Sequence, residues 1–389
     1  LTVIQNAVKL INRYLDTPLD INSINYDDAK VFEMISAGKT EGIFQLESAG
    51  MKSFMKELKP SSLEDIIAGI SLYRPGPMDF IPKYIKGKQN QSTIVYDCPE
   101  LEEILAPTYG CIVYQEQVMQ ICRKLAGYSY ARADIVRRAM SKKKASVMAK
   151  ERQNFVYGNE EEGVQGCVAS GISESVANQI YDDMTDFAKY AFNKSHAAAY
   201  AVVAYQTAWL KYYYPKEFMA ALMTSVMDNV TKVSEYILAC RNMGISILPP
   251  DINEGYGGFS VSGNSIRYGL SAIKSVGRSV VDMIIKEREA NGPFTTLEDF
   301  VTRMSNKEVN KRTLESFIKS GALDSLPGTR KQKWIVAPDL LESKAKEKKS
   351  GFEGQLSFFD FVAEEEKSSF QIAMPPVGEY EKEELSNLN

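Results

Sequence analysis

Apolar residues recur every three or four positions through most of residues 1–245. The pattern is clear in "VYQEQVMQICRKLAGY", "ARADIVRRAMSKKK", "ESVANQIYDDMTDFAKY", "SHAAAYAVVAYQTAWLKYY" and "PKEFMAALMTSVM". That spacing buries one face of a helix, so this stretch is read as mainly α. Gly127 is placed to stop one helix and Pro215 to start another. "LYRPGPMDFIPKY" breaks the pattern, because Pro75, Pro77 and Pro82 lack N–H donors and restrict the residues before them; a shaped loop is expected there. Past "GISILPPDINEG" the period changes. "GGFSVSGNSIRYGL" alternates around a Ser-Gly-Asn-Ser turn, which predicts a short hairpin and a domain boundary near residue 245. From about residue 330 the chain turns Lys/Glu-rich with few core residues, and it ends in an acidic tail read as flexible. No internal repeat is visible.

A chain of 389 residues exceeds the roughly 250–300 at which one hydrophobic core stops growing, so at least two domains are expected. No run approaches the ~18 apolar residues that span a bilayer, so the protein is read as soluble. Cys98, Cys111, Cys122, Cys167 and Cys240 are odd in number and lack CxxC or Cys/His ligand spacing. That argues against a disulfide framework or a zinc site and fits a reducing cytoplasm. The chain opens directly in the helical run "LTVIQNAVKLINRYL", without an initiator Met or signal peptide, and is read as a segment of a longer protein.

The formal net charge of −4 conceals an asymmetry. Residues 121–155 carry ten Lys/Arg against two Asp/Glu, whereas residues 351–389 carry two against nine. Within the first stretch, Arg137, Arg138, Lys142, Lys143 and Lys144 fall inside eight residues. A helix here would carry Arg138 and Lys142 four apart, with Arg137, Lys144 and Asp134 on neighbouring turns. Such a face can clamp a polyphosphate or a nucleic-acid backbone; the plainer alternative is a solvated helix surface.

"YAFNKSHAAAY" holds the only histidine, His196, beside Asn193, Lys194 and Ser195. Ser195 can be a plain N-cap, yet a Tyr, Asn, Lys and His at a helix start can also receive an anionic ligand, with the ring stacking on a base or sugar. "DDMTD", from Asp182, superficially matches a magnesium-diphosphate motif, but no second acidic motif faces it, and a solvated helix face accounts for it. "AIKSVGRSVVDMIIKERE" has the form of a helix-hairpin-helix, in which Lys274, Gly277 and Arg278 at a helix start could hold a DNA phosphate without reading sequence. "NKRTLESFIKSGALDSL" is either a degenerate second copy or a small core helix pair. "QLSFF" (Gln355, Leu356, Ser357, Phe358, Phe359) places apolar groups in a polar tail, as docking segments do.

Taken in order, "EGIFQLESAGMK", "LYRPGPMDFI", "PTYGCIVYQEQVMQI", "RRAMSKKK", "FAKYAFNKSHAAAYAVVAYQTAWLK" and "MGISILPPDIN" closely resemble the alpha subunits of bacterial DNA polymerase III, the C-family replicative polymerases. The resemblance runs to about residue 360. It implies helical fingers over 1–245, a small α+β duplex-binding region with the helix-hairpin-helix over 246–330, and a linker and tail over 331–389 with a sliding-clamp motif at 355–359.

By the same resemblance, Arg137 and Arg138 would meet the triphosphate of an incoming deoxynucleotide. Tyr190, Asn193, Lys194 and His196 would line its pocket, with Arg74 and "FQLES" shaping the floor. Lys142, Lys143, Lys144, Lys274, Gly277 and Arg278 would contact primer-template DNA. The palm aspartates that hold two Mg2+ ions would precede Leu1, leaving no catalytic or metal-binding residue in this segment. Other replicase subunits would be partners, in a bacterial cytoplasm at the nucleoid. The alternative is a stand-alone DNA-binding or clamp-binding accessory module.

Overall fold

The computed structural model describes residues 1–142, 145–188, 192–304 and 309–352. The tail motif Gln355–Phe359, together with Tyr190, Lys143 and Lys144, lies outside the described residues. Among the described residues there are seventeen α-helices, four 3-10 turns and one three-stranded sheet. The mainly α, multidomain reading therefore holds, and the chain forms two compact units. One is Asp20–Tyr212; the other joins Leu1–Leu19 to the described residues from Tyr213 onward.

The unit Asp20–Tyr212 has two apolar clusters. In the first, helices Ala29–Ser36, Ala49–Leu58, Leu63–Leu72 and Ile81–Gln89 gather around the long helix Lys194–Tyr213, which contributes Ala197, Ala201, Ala204, Tyr205 and Ala208. Small residues at three- and four-residue spacing let the neighbours approach this helix closely. The starts of the shorter helices are fixed by side-chain caps: Asp28 accepts from the Lys30 N–H, Ser48 from Met51 and Ser62 from Asp65. The second cluster is built from helices Pro99–Leu105, Gln115–Ala126, Tyr130–Ser141, Ala145–Tyr157 and Glu174–Ala188 around Val118, Ile121, Cys122, Val136, Phe155 and Tyr181. Gly127, at φ 72°, closes Gln115–Ala126 in the left-handed conformation that a glycine adopts without strain.

The proline-rich stretch is shorter as a loop than expected. Only residues 73–76 are irregular; Pro77 opens a 3-10 turn, Pro77–Phe80, and Pro82 sits in the first turn of Ile81–Gln89. A proline in a first turn loses no hydrogen bond, because that N–H has no intrahelical acceptor.

The loop between Ser36 and Ala49 is held from beneath by Lys211, whose side chain is 3 % exposed. Its Nζ donates to the carbonyls of Lys39 and Glu41, each at 2.9 Å, and lies 3.2 Å from Glu41 Oε2. In that loop Gln45, a non-glycine residue, is kept at φ 64°.

In the other unit, Thr2–Ile11 packs on Pro215–Ser225, and the Tyr14 hydroxyl donates to Glu217 Oε1 at 3.0 Å. The expected hairpin is present: β2 (Ser260–Ser262) and β3 (Ser265–Arg267) pair antiparallel across Gly263-Asn264, with Gly263 at φ 58°. The sequence did not reveal β1 (Ser246–Leu248), which runs parallel to β3 and makes it the central strand. Three residues ahead of a Pro-Pro pair carry too little alternation to signal a strand.

The helix-hairpin-helix stretch begins as a single 3-10 turn, Leu270–Ala272, rather than the short helix expected. It turns at Ser275 (φ 69°) and enters Arg278–Asn291 with Gly277 as N-cap. The proposed second copy is a helix, Lys311–Ser320, capped by Asn310 and closed by Gly321. Phe294, Phe300 and Phe317 meet edge to face at 5.0 and 6.0 Å in the core between these helices.

The expected linker from residue 331 is corrected in its first part. Arg330–Phe352 is one helix, and Lys333, Val336, Ala337 and Leu340 are buried against the same core. Lys333 donates to the Leu323 and Leu326 carbonyls, each at 2.8 Å, so a residue that looks like linker composition serves as a buried clasp.

Glu41 supplies a pH test. Burial pushes its carboxyl up, but hydrogen bonds from Lys52, its own backbone and Lys211 outweigh that and hold it at about 2, against an ordinary 4.5. The folded state therefore binds fewer protons, and this stabilisation is present above pH 4.5 and lost as pH falls toward about 2. Lys211→Met should cost about 3 kcal/mol at neutral pH, since it strands buried carbonyls. It should also shrink the acid-side loss over that window, read from urea midpoints measured against pH.

Candidate functional site

Several of the residues singled out in the sequence, Arg74, Asn193, Lys194 and His196, lie where the long helix Lys194–Tyr213 begins. Asn193, not Ser195, is its N-cap, and its Oδ1 accepts from the His196 N–H at 2.9 Å. The Lys194 N–H does not wait for an external anion. It donates to the carboxylate of Glu116, at 3.2 and 3.1 Å from its two oxygens, and Asn193 Nδ2 donates to Glu116 Oε1 at 3.0 Å. The anion-accepting capacity of this corner therefore rests on side chains. Lys194 Nζ lies 3.0 Å from Glu64 and 5.2 Å from the centre of the Tyr114 ring.

Gln115, which precedes Glu116 at the start of the helix Gln115–Ala126, donates its main-chain N–H to the Phe192 carbonyl at 3.0 Å. Its side-chain oxygen accepts from Arg137 Nη1 at 2.8 Å. Arg137 also clasps Asp134, through Nε at 2.9 Å and Nη2 at 2.7 Å, while Arg138 Nε reaches the other oxygen of Asp134 at 2.7 Å. The Asp134 carboxyl is held below its ordinary range, first by the hydrogen bond from Arg137. Arg137 is mostly covered, with its side chain 19 % exposed, whereas Arg138 is 66 % exposed. The helix Tyr130–Ser141 ends before the lysine run, and exposed Lys142 is its C-cap. Of the cationic face expected through Lys144, the described part ends at Lys142, because Lys143 and Lys144 lie outside the described residues.

An aromatic row continues from this corner. The exposed Arg74 guanidinium lies 4.5 Å from the Phe192 ring centre. Phe192 meets His196 at 5.4 Å, His196 meets Tyr200 at 4.4 Å and Tyr200 meets Phe44 at 5.3 Å. His196 and Tyr200, four residues apart, share one face of the helix Lys194–Tyr213, and Phe192 lies just before that helix, bridged to Tyr114. Phe44 belongs to "FQLES", on the loop that Lys211 supports.

"DDMTD" belongs to a different place. Asp182 pairs with Arg152, and Asp183 accepts from Gln179 at 2.9 Å. Burial, followed by Asp97, raises the Asp183 carboxyl. Asp183 and Asp186 edge a cavity of about 180 Å3 floored by Leu105, Ile121, Ile180 and Phe187. Among the described residues, no three His, Cys, Asp or Glu side chains are grouped to hold a metal ion.

In the other unit, Lys274, Gly277 and Arg278 are all exposed at the start of Arg278–Asn291. Arg278, 74 % exposed, has only a distant partner in Asp228, at 3.9 Å. Arg312, in the first turn of Lys311–Ser320, donates to Ser275 Oγ at 3.2 Å and so joins this turn.

Residues 1–163 match the family described as the bacterial DNA polymerase III alpha subunit finger domain, and residues 244–333 match the helix-hairpin-helix motif. The chain is 42% identical over 385 residues to the DNA polymerase III subunit alpha of Borreliella burgdorferi, covering 99% of this chain and 33% of that protein. It is 45% identical over 369 residues to that of Thermus aquaticus, covering 94% and 30%, and 46% identical over 330 residues to that of Bacillus subtilis, covering 85% and 29%. The chain belongs to the family of bacterial DNA polymerase III alpha subunits. It spans about a third of the length of the curated relatives it matches.

Of the residues that the family resemblance singled out, Arg74 and His196 touch the Phe192 ring, Asn193 and Lys194 follow it in the chain, and Arg137 is linked to it through Gln115, with Arg138 farther along the helix Tyr130–Ser141 and Lys142 its C-cap. Lys274, Gly277 and Arg278 form a separate group. Sequence reading missed Gln115, Glu116 and Glu64. An acidic residue in a first turn reads as an ordinary helix-dipole partner, and nothing in "YQEQ" announces a contact with residues 192–194. No helix among the described residues is long and apolar enough to cross a membrane. Asn193→Ala removes both a cap and a Glu116 contact, and should lower unfolding stability by about 1–2 kcal/mol in urea titrations.

Proposed function

We propose that this chain supplies the nucleotide-binding and duplex-binding surfaces of a DNA-directed DNA polymerase, the alpha subunit of a bacterial replicase. The observation that carries this is the grouping of Arg74 and Lys194 with an aromatic row at one helix start, to which Arg137, neighbour of Arg138, is linked through Gln115. Guanidinium groups match phosphate oxygens in geometry and charge, and the aromatic faces suit a base or sugar. An incoming deoxynucleoside triphosphate would exchange places with Asp134 on Arg137 and Arg138. The freed arginines would offset the charge that builds on the phosphates as the primer 3′-hydroxyl attacks. Asn193, Lys194 and His196 would hold the nucleotide end of the same ligand, with Tyr190 beside them.

Two Mg2+ ions belong to this chemistry, and the described residues offer no cluster suited to them. In this reading they are held by palm aspartates outside this chain, and no step is assigned to them. Lys274, Gly277 and Arg278 would take a duplex phosphate, with Lys142, Lys143 and Lys144 on the backbone nearer the nucleotide. Gln355, Leu356, Ser357, Phe358 and Phe359 would dock on a sliding clamp, a reading that rests on sequence alone. Other replicase subunits as partners, and a place at the bacterial nucleoid, belong to the same assignment. A stand-alone DNA-binding or clamp-binding module accounts for the exposed hairpin turn, but gives no reason for the cations gathered around Phe192.

Two measurements test this. In the full-length subunit, Arg137→Ala should raise the KM for deoxynucleotides by roughly ten- to a hundredfold, the loss of charge-assisted hydrogen bonds; an unchanged KM would remove the nucleotide assignment. Primer-template affinity should fall linearly with salt on logarithmic axes, equally for unrelated sequences. Lys274→Ala and Arg278→Ala should each reduce that slope by about 1. A sequence preference, or slopes that do not move, would argue against the duplex assignment.

A further inference from the structure

Gln115 and Glu116 are consecutive residues at the start of Gln115–Ala126, and between them they touch both halves of the cationic corner. Successive side chains on a helix point about 100° apart, so a single first turn can reach two different elements. Gln115 faces the helix Tyr130–Ser141 by accepting from Arg137 Nη1, and its main chain holds the Phe192 carbonyl. Glu116 faces the helix Lys194–Tyr213 by accepting from the Asn193 side chain and the Lys194 N–H.

The turn itself is anchored from below. Gln117 is 5 % exposed; its oxygen accepts from the Val113 and Tyr114 N–H groups at 2.8 and 3.0 Å. Its amide donates to Thr108 Oγ1 at 2.7 Å and to the Ile104 carbonyl at 3.3 Å. A buried, multiply bonded amide leaves the residues before it little freedom to shift.

We infer that Gln115 and Glu116 are positioning residues that fix the spacing between Arg137, on the phosphate side of the pocket, and the Asn193–His196 corner, on its base and sugar side. The inference rests on the nucleotide-binding reading above. The chemistry of the two residues differs to match. Gln115 is neutral, so it aims the Arg137 guanidinium without spending its charge, as a carboxylate in that place would. Glu116 is charged and takes the Lys194 amide at the helix start, which directs an incoming anion to the arginines instead.

The test uses the full-length subunit on primer-template DNA, with nucleotide KM, kcat and primer-template Kd measured separately. Gln115→Met keeps the volume but removes the acceptor, and Glu116→Ala removes the second arm. Each should raise the nucleotide KM about tenfold, with kcat and the primer-template Kd within about twofold, because a misplaced clamp weakens one ligand only. Glu116→Gln should recover part of the loss, since its amide oxygen can still accept one of the two N–H groups.

If KM stays at the wild-type value in Gln115→Met and Glu116→Ala while Arg137→Ala raises it, the brace is wrong and the nucleotide site stands. The brace is equally overturned if both variants lower the melting temperature, kcat and DNA affinity together without moving KM, the pattern of a merely structural role. If Arg137→Ala itself leaves KM untouched, the nucleotide reading has failed and the brace falls with it.

Discussion

Cations collected for a ligand must be neutralised while the ligand is away. At an effective dielectric near 20, two like charges about 4 Å apart repel by about 4 kcal/mol, too much for a fold of ordinary stability to leave uncompensated at several positions. This chain meets the constraint with its own carboxylates: Asp134 takes both arginines, Glu64 takes the Lys194 ammonium and Glu116 takes the helix start. Partly exposed pairs of this kind are worth about 1 kcal/mol or less each. They are strong enough to aim a side chain and, in the proposed function, weak enough to be exchanged for a polyphosphate, which would offer more oxygens and more charge to the same guanidinium groups.

That exchange requires a scaffold that does not move when the pairs open. The alanine face of Lys194–Tyr213 packs into a core cluster, so the first turn that carries Asn193 to His196 is continuous with buried structure. Lower on the same helix, Lys211 fastens the loop bearing Phe44 through two main-chain carbonyls. One helix therefore carries the cationic corner at its start and, through Lys211 near its other end, fastens the loop that bears Phe44. Groups locked by packing and hydrogen bonding lose little entropy when a ligand arrives, and binding geometry depends on that.

Much of this was legible in the residues, and the legible parts share a physical reason. Local signals survived: the helix starts and stops, Gly127 and Pro215 among them, the hairpin around Gly263 and the turn into Arg278 depend on neighbours in sequence. What stayed hidden depends on distant partners. Nothing near Glu116 foretells Asn193, and nothing in "LTVIQNAVKLINRYL" foretells that it packs on Pro215–Ser225 rather than in the unit Asp20–Tyr212. Arg330–Phe352 was masked by composition, since its buried face uses a lysine, Lys333, where an apolar residue was sought.

The two clusters of exposed cations also differ in a way that bears on what each can recognise. Near Phe192, Arg137, Arg138 and Lys194 are held by carboxylates, and Arg74 and Lys194 lie against aromatic rings. At Lys274 and Arg278 the side chains are exposed and set beside a glycine at a helix start, and Arg278 has only the distant Asp228 at 3.9 Å. Charge without shape binds phosphate but cannot tell one base pair from another, because backbone contacts carry no sequence information. The proposed function would use that division: with base identity left to pairing between strands, a duplex grip blind to sequence is enough, and selection by shape is needed only where a nucleotide would enter.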